Sequence, residues 1–335
     1  FWLKRRESTA PGSAHGARPR GVPRGPTMAP TEEARAHLAA ANKALTPSWM
    51  SMKFSPDYLS ASMEFTNAAT KFRAAGLLQD ATAAWVRAAE TKEKLHDQFG
   101  AGRAYESAGA ICDGGGPGGA AAAAEHWEKA IRCFRLCGKG EIAAKLILKL
   151  AALREKEGDV AACKAAYEDA IEVFTQDEKD YNMGDVYKQY IGFLVRSGMQ
   201  DAATKAIDGH IEVLMRQKQS SFVHKELLAK AVLMLHAGDN VRAEEALNPS
   251  VNIDGWYMSK ESQVGSELVD AFKQMDAEAV QRLQKEQIFT FLQVEIARLA
   301  KTLRVQDFAP TSQAAAPGGD DGQAAEPEDR SSMLM

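Results

Sequence analysis

Five glycines, Gly76, Gly118, Gly158, Gly198 and Gly238, stand 42, 40, 40 and 40 residues apart, and their surroundings repeat with them. Five residues after each comes a small residue (Ala81, Ala123, Cys163, Ala203, Ala243), and nine after comes a large apolar one (Trp85, Trp127, Tyr167, Ile207, Leu247). An interval of four puts both on one helix face. Ala88, Ala130 and Ala170 follow at twelve, and Phe65, Ile147, Tyr187 and Leu227 stand eleven before their glycines. Tyr105 fills that slot in the second repeat once two extra loop residues are subtracted. Each unit therefore reads as helix, glycine turn, helix, with small residues where the helices approach and large ones filling the space between. Repetition at this period predicts an all-α, tetratricopeptide-like solenoid of helical hairpins, wound as a right-handed superhelix. Compared with the 34 residues of a tetratricopeptide unit, each helix pair is longer by about six residues, nearly two turns.

A solenoid unit touches only its neighbours, so the stack exposes a long surface and encloses no catalytic pocket. Binding is favoured over chemistry. No Ser/His/Asp, Cys/His or paired-carboxylate spacing stands out, and the seven histidines are scattered. Four unevenly spaced cysteines give no disulfide framework. Cys133 and Cys137 lie four apart with His126 nearby, but no fourth ligand has matching spacing, so core packing is expected there and no metal. The glycines from Gly114 to Gly119 precede no Gly-Lys-Ser/Thr and follow no strand, so they form a surface loop, not a phosphate cradle. No cofactor and no nucleic-acid partner are implied.

Net charge is −4, unevenly spread. Residues 1–27 carry six Lys/Arg against Glu7, and residues 306–335 carry six acids against Arg330. The basic, acid-poor first segment has the composition of an organelle transit peptide. The expectation is instead a disordered extension outside the native protein, which would start at Met28 before the capped helix opened by Thr31, Glu32 and Glu33. The acidic tail is expected to be disordered. Between them the solenoid is expected over 28–250 and a C-terminal helical bundle over 251–305. The bundle follows a stop at Asn248-Pro249 and an apolar turn at Gly255-Trp256-Tyr257, with helical patterns at about 261–287 and 288–304. The longest apolar runs fall short of the ~20 residues that span a bilayer.

Two groups are candidates for binding. Trp49, Met50, Met52 and Phe54, with Lys53 among them, place large apolar residues in a connection after the first helix. Such a loop either folds back on the first helix pair or dips into a membrane, with Trp49 at the headgroup boundary. Lys145 and Lys149 are four apart on the helix that opens the Gly158 unit, with Arg135 and Lys139 preceding them. They are either solvated charge or a basic stripe that holds an acidic helical partner.

The stretch Lys53-Phe54-Ser55-Pro56-Asp57-Tyr58-Leu59-Ser60-Ala61-Ser62, then Tyr105-Glu106-Ser107-Ala108-Gly109, resembles the soluble NSF attachment protein family, most nearly its gamma class. Phe289-Thr290-Phe291-Leu292, Ala297-Arg298-Leu299 and an acidic tail with leucine in the penultimate place, Leu334, are similar to it too. The resemblance implies an adaptor that links a syntaxin-type SNARE complex to the disassembly ATPase NSF in vesicle fusion, on the cytoplasmic side and peripherally associated with vacuolar or other endomembranes. It implies SNARE contacts at Lys145 and Lys149, although the gamma class does not keep both as lysine, with Arg135 and Lys139 beside them. It also implies membrane contact at Trp49, Met50, Met52 and Phe54, and ATPase contact through Leu334, Arg298 and Lys301. The Gly-rich loop at 114–119 departs from the basic pattern of the alpha class. The rival reading is a generic tetratricopeptide scaffold for a peptide or chaperone tail. Its clamp needs paired Asn and Lys on successive first helices, and only Asn67 and Lys71 suggest one.

Overall fold

The computed structural model describes residues 30–47, 55–177 and 180–305. Among these residues every regular element is helical. The first six helices are α1 (Pro30–Leu45), α2 (Tyr58–Ala74), α3 (Leu78–Lys94), α4 (Gln98–Asp113), α5 (Gly119–Leu136) and α6 (Gly140–Glu157). They are followed by α7 (Val160–Gln176), α8 (Asp180–Arg196), α9 (Gln200–Arg216), α10 (Ser220–His236) and α11 (Asn240–Leu247). After these come α12 (Lys260–Lys273), α13 (Ala277–Leu283) and α14 (Val294–Thr302). Short 3-10 turns at Trp256–Met258 and Gln287–Phe291 complete it. The expectation of an all-α array of helical hairpins holds.

One turn makes the array. All five repeat glycines have positive φ, between 70 and 84°. At Gly158 the amide donates back to the Glu155 carbonyl, and the next amide, Asp159, donates to the Arg154 carbonyl. This is the Schellman arrangement, in which a left-handed residue turns the chain and caps the last carbonyls of a helix. Asp159 then starts the following helix, its carboxylate accepting from the Ala162 amide at 3.0 Å. A helix end and a helix start are thus joined through two residues.

The same two hydrogen bonds recur at His96, Lys218 and Met275, whose φ values are 58, 57 and 58°. Positions 76, 96, 115, 138, 158, 198, 218 and 238 carry such turns among the described residues, at intervals near twenty except for the forty between 158 and 198. At Gly115 (φ 94°) the same pair of bonds runs from the Gly115 and Gly116 amides to the Cys112 and Ile111 carbonyls. Four of the five repeat glycines, Gly76, Gly158, Gly198 and Gly238, stand at such turns, and Gly118 stands three residues past one, immediately before α5.

The residues picked out by the repeat lie where the pattern puts them. Ala81, Ala123, Cys163, Ala203 and Ala243 are fully buried, as are Ala88, Ala130 and Ala170. Phe65, Tyr105, Ile147, Tyr187 and Leu227 are buried between them. Trp127, Tyr167, Ile207 and Leu247 are buried as well, and Trp85 is partly so. The chain divides into two compact units, one ending at Leu153 and the other beginning at Arg154, within α6. In the first, α1 to α5 pack successively, around a core that includes Ala34, Ala68, Phe72, Ala84 and Ile111. In the second, Tyr167 stacks on Tyr190 at 5.4 Å and leans on Phe193, and α10 packs against α9, α11, α12 and α14.

The C-terminal end differs from its two expected helices. The first pattern breaks at Met275, where the Schellman turn recurs and Asp276 caps α13 through the Ala279 amide at 2.9 Å. The second opens as a 3-10 turn, and α14 begins only at Val294. The apolar turn at 255–257 is half sunk. Trp256 is buried and donates from Nε1 to the Leu247 carbonyl at 2.8 Å, while Tyr257 and Met258 face solvent.

A Cβ at Gly158 or Gly198 would meet nothing within 4 Å, so only backbone strain opposes alanine there. Gly158→Ala should cost about 1–2 kcal/mol, seen as a lower urea midpoint. Lys218 already bears that strain. Lys218→Ala should therefore leave the midpoint nearly unchanged, and Lys218→Gly should raise it.

Candidate partner-binding face

α6 starts from the Lys139 carbonyl, which accepts from the Ile142 and Ala143 amides. Along it Ala143, Ala144, Leu146, Ile147, Ala151 and Leu153 are buried. Lys145 and Lys149 therefore fall on the exposed side, one turn apart, at 61 and 55% side-chain exposure. Neither is free. Lys145 Nζ lies 2.6 Å from Glu141 of its own helix, and Lys149 Nζ lies 3.4 Å from Glu106 of α4. Glu106 is held in turn by Arg103 at 2.9 Å. The predicted stripe is three exposed cations with two carboxylates on two first helices of successive hairpins, Arg103, Glu106 and Lys149 joined across α4 and α6 and Lys145 paired with Glu141 within α6.

Arg135 and Lys139 are not part of this row. Arg135 is in the last turn of α5 and Lys139 is in the turn before α6, both exposed. Six residues separate Lys139 from Lys145, which turns it well away from that face at 3.6 residues per turn. Only two of the four expected basic residues stand together.

The Tyr105–Gly109 segment is explained by packing. Tyr105 is buried against Glu93, to which its hydroxyl donates at 3.3 Å; burial first and that carboxylate second push its pKa well up. A Cβ on Gly109 would lie 2.4 Å from the Trp127 ring, so glycine is what lets the indole of α5 close on α4. Between them Glu106 faces outward and serves the cation row. The motif thus joins core to surface.

Arg298 and Lys301 are exposed on α14, three apart and so on one face. α14 is seated by the buried Ile296 and Ala300 and by a polar junction at its start. Arg196 of α8 pairs with Glu155 at 2.7 Å and also with Glu295, and Gln293 donates to the Lys188 carbonyl. The sequence reading missed Arg196, since its partners stand 41 and 99 residues away. The segment with Trp49, Met50, Met52 and Phe54, and likewise Leu334, lies outside the described residues.

Among the described residues no group of three His, Cys, Asp or Glu side chains could hold a metal ion. Cys133 is buried with its thiol 3.6 Å from Glu93; burial above all, then that carboxylate, raises its pKa to about 11 and keeps it protonated. Among the same residues no helix is long and apolar enough to cross a membrane. For the scaffold reading, Lys71 is tied to Glu33 at 2.6 Å, so its clamp lysine is engaged.

The family model for "Soluble NSF attachment protein, SNAP" matches residues 32–295, most of the chain. The chain belongs to this family. A gamma-soluble NSF attachment protein of Dictyostelium discoideum is 25% identical over 79% of this chain and 82% of its own length. One of Arabidopsis thaliana is 26% identical over 76% and 87%. Among solved structures, similarity is found to a signal-transduction ATPase with a tetratricopeptide repeat sensor from Pyrococcus horikoshii, 13% identical, covering 73% of this chain and 37% of that one, TM-score 0.38. BtubC from P. vanneervenii is 15% identical over 66% and 89%, TM-score 0.36. Membership makes the chain an NSF attachment adaptor, and the residues of interest become those that meet its partners.

Removing the Arg196 guanidinium leaves Glu295, mostly buried, without its partner, at a cost on the order of 1–3 kcal/mol. In an Arg196→Met chain, amide exchange across α14 should speed up several-fold or more while α2 to α5 keep their rates. Unchanged exchange in α14 would mean that Ile296 and Ala300 seat the helix alone.

Proposed function

We propose that this chain lies along a four-helix SNARE bundle, recruits NSF to it and stimulates the ATPase to take the bundle apart. The observation that carries the reading is the family match across residues 32–295, and the exposed row on α4 and α6 supports it with cations suited to an acidic helical partner. Lys145, Lys149 and Arg103 meet the bundle. Arg298 and Lys301 on α14 meet the ATPase, and Leu334 stimulates it. Trp49, Met50, Met52 and Phe54 touch the membrane surface, which liposome co-sedimentation of a Trp49→Ser/Met50→Ser chain tests; full retention of sedimentation excludes that contact. On this reading the protein works at the cytoplasmic face of endomembranes, without cofactor or nucleic acid.

The deciding experiment is a pull-down of NSF by this chain with and without assembled SNARE complex. NSF is expected to be retained only with the complex, and its absence in both conditions would return the peptide-scaffold reading to first place. Because Lys145 and Lys149 are exposed and already paired with Glu141 and Glu106, each contributes at the level of a surface ion pair, about 0.2–1 kcal/mol. Lys145→Glu/Lys149→Glu should then weaken bundle binding roughly tenfold at low salt, with less effect as salt is raised. In the same assay Leu334→Ala should leave NSF recruitment intact and lower stimulated ATP hydrolysis. Equal hydrolysis at saturating adaptor would remove the role of Leu334.

A further inference from the structure

Counting back from each turn glycine places the first helices α2, α4 and α6 in register. Seventeen residues before, corrected for the two-residue loop insertion, stand Leu59, Phe99 and Glu141; thirteen before stand Met63, Arg103 and Lys145; nine before stand Asn67, Ser107 and Lys149. These positions are spaced by four, so on every helix they form one face. Among them Leu59, Met63 and Phe99 are 62, 60 and 41% exposed, and Arg103 and both lysines are exposed too. The face therefore changes character along the first unit. It is apolar on α2, mixed on α4, where the Arg103 guanidinium lies 5.4 Å from the Phe99 ring, and cationic on α6.

We infer that Leu59, Met63 and Phe99 are a second, apolar half of the surface that binds the partner, and that they pack against apolar side chains exposed on the outside of the helical bundle, beside acids that meet Arg103, Lys145 and Lys149. The inference rests on the partner-binding reading above and deepens it. Charge complementarity argues for this occupant, because the apolar residues continue the cationic row at equivalent heights on successive helices. A helix on the outside of such a bundle, laid across α2, α4 and α6, would meet both halves at once. A flat lipid surface fits less well. Met63 lies in the second turn of α2, and Phe99 is a whole hairpin further along. The binding energy then has two parts with different signatures. The cationic part weakens with salt, and the apolar part does not.

The test is binding of the assembled SNARE complex in solution at about 50 and about 500 mM salt, the span over which exposed pairs become screened. The chains compared are the parent, Leu59→Ser/Met63→Ser, Phe99→Ser and Lys145→Glu/Lys149→Glu. The parent is measured first, since its failure to bind at either salt would count against the partner reading and not against this face. With a binding parent, Leu59→Ser/Met63→Ser should lose about tenfold or more at both salt concentrations, for two apolar side chains no longer buried. Phe99→Ser should lose less, and the lysine variant should lose affinity chiefly at low salt. The melting temperature of the apolar variants should match the parent. Unchanged binding would overturn the inference, and so would a loss that comes with a fall in melting temperature, which would make Leu59 and Met63 part of the fold. Loss of liposome co-sedimentation by Leu59→Ser/Met63→Ser with SNARE binding intact would overturn it too, and would assign the face to lipid.

Discussion

The left-handed residue that ends most of the helices from α2 to α12 is the constraint on which the rest depends. It closes a helix and in most connections the next residue opens another, so connections are short; the longer one at 114–119 takes its extra residues into a loop and leaves Tyr105 and Ala123 buried at their equivalent places. Helices of seventeen residues and connections of about three then repeat at twenty. The same residue types then fall at the same height in each hairpin. A surface residue is equally constrained: its height and direction follow from its distance to the turn. This is why Glu106 and Lys149, 43 residues apart, meet as if they were neighbours.

The large features of the fold were legible because they repeat. Glycine is needed where φ is positive without strain, so five connections announced themselves, four by the turn residue itself and one by Gly118 three residues past it, and the residues at fixed offsets were read correctly as core. The turns at His96, Lys218 and Met275 carried no such mark. An ordinary side chain occupies the left-handed conformation there at some cost, held by the same pair of backbone hydrogen bonds. For that reason 261–287 read as one helix when Met275 divides it. Trp256 was legible only as an apolar residue in a turn. Its burial depends on the Leu247 carbonyl accepting from the indole, a contact that no local pattern encodes.

The candidate face was half legible. A four-residue interval sufficed to put Lys145 and Lys149 side by side, but it also drew in Arg135 and Lys139, which a turn separates from them. The acids that hold the lysines, and Arg103 behind one of those acids, come from a helix more than forty residues earlier in the chain for Lys149 and from the preceding turn for Lys145. Leu59, Met63 and Phe99 are unremarkable in sequence, since isolated exposed apolar residues are common. They gain meaning only when equivalent positions are aligned on the turns.

These internal ion pairs also bear on how strongly such a face can hold a partner. Each lysine that turns to an incoming carboxylate must leave one it already has, so the exchange is close to balanced and the net gain per contact is small. What an acidic partner gains over the resident glutamates comes from the field of several charges together and from orientation during approach, both of which weaken with salt. Apolar contact at Leu59 and Met63 chiefly displaces water, while Phe99 already has the Arg103 guanidinium over its ring. On the proposed reading, a surface with both kinds of contact would separate recruitment from retention: the cations on α6 would direct the encounter, and the side chains on α2 and α4 would set how long it lasts. An adaptor whose partner must be released again is served by contacts that are each weak and lie in register along one face, since no single one has to be broken at great cost.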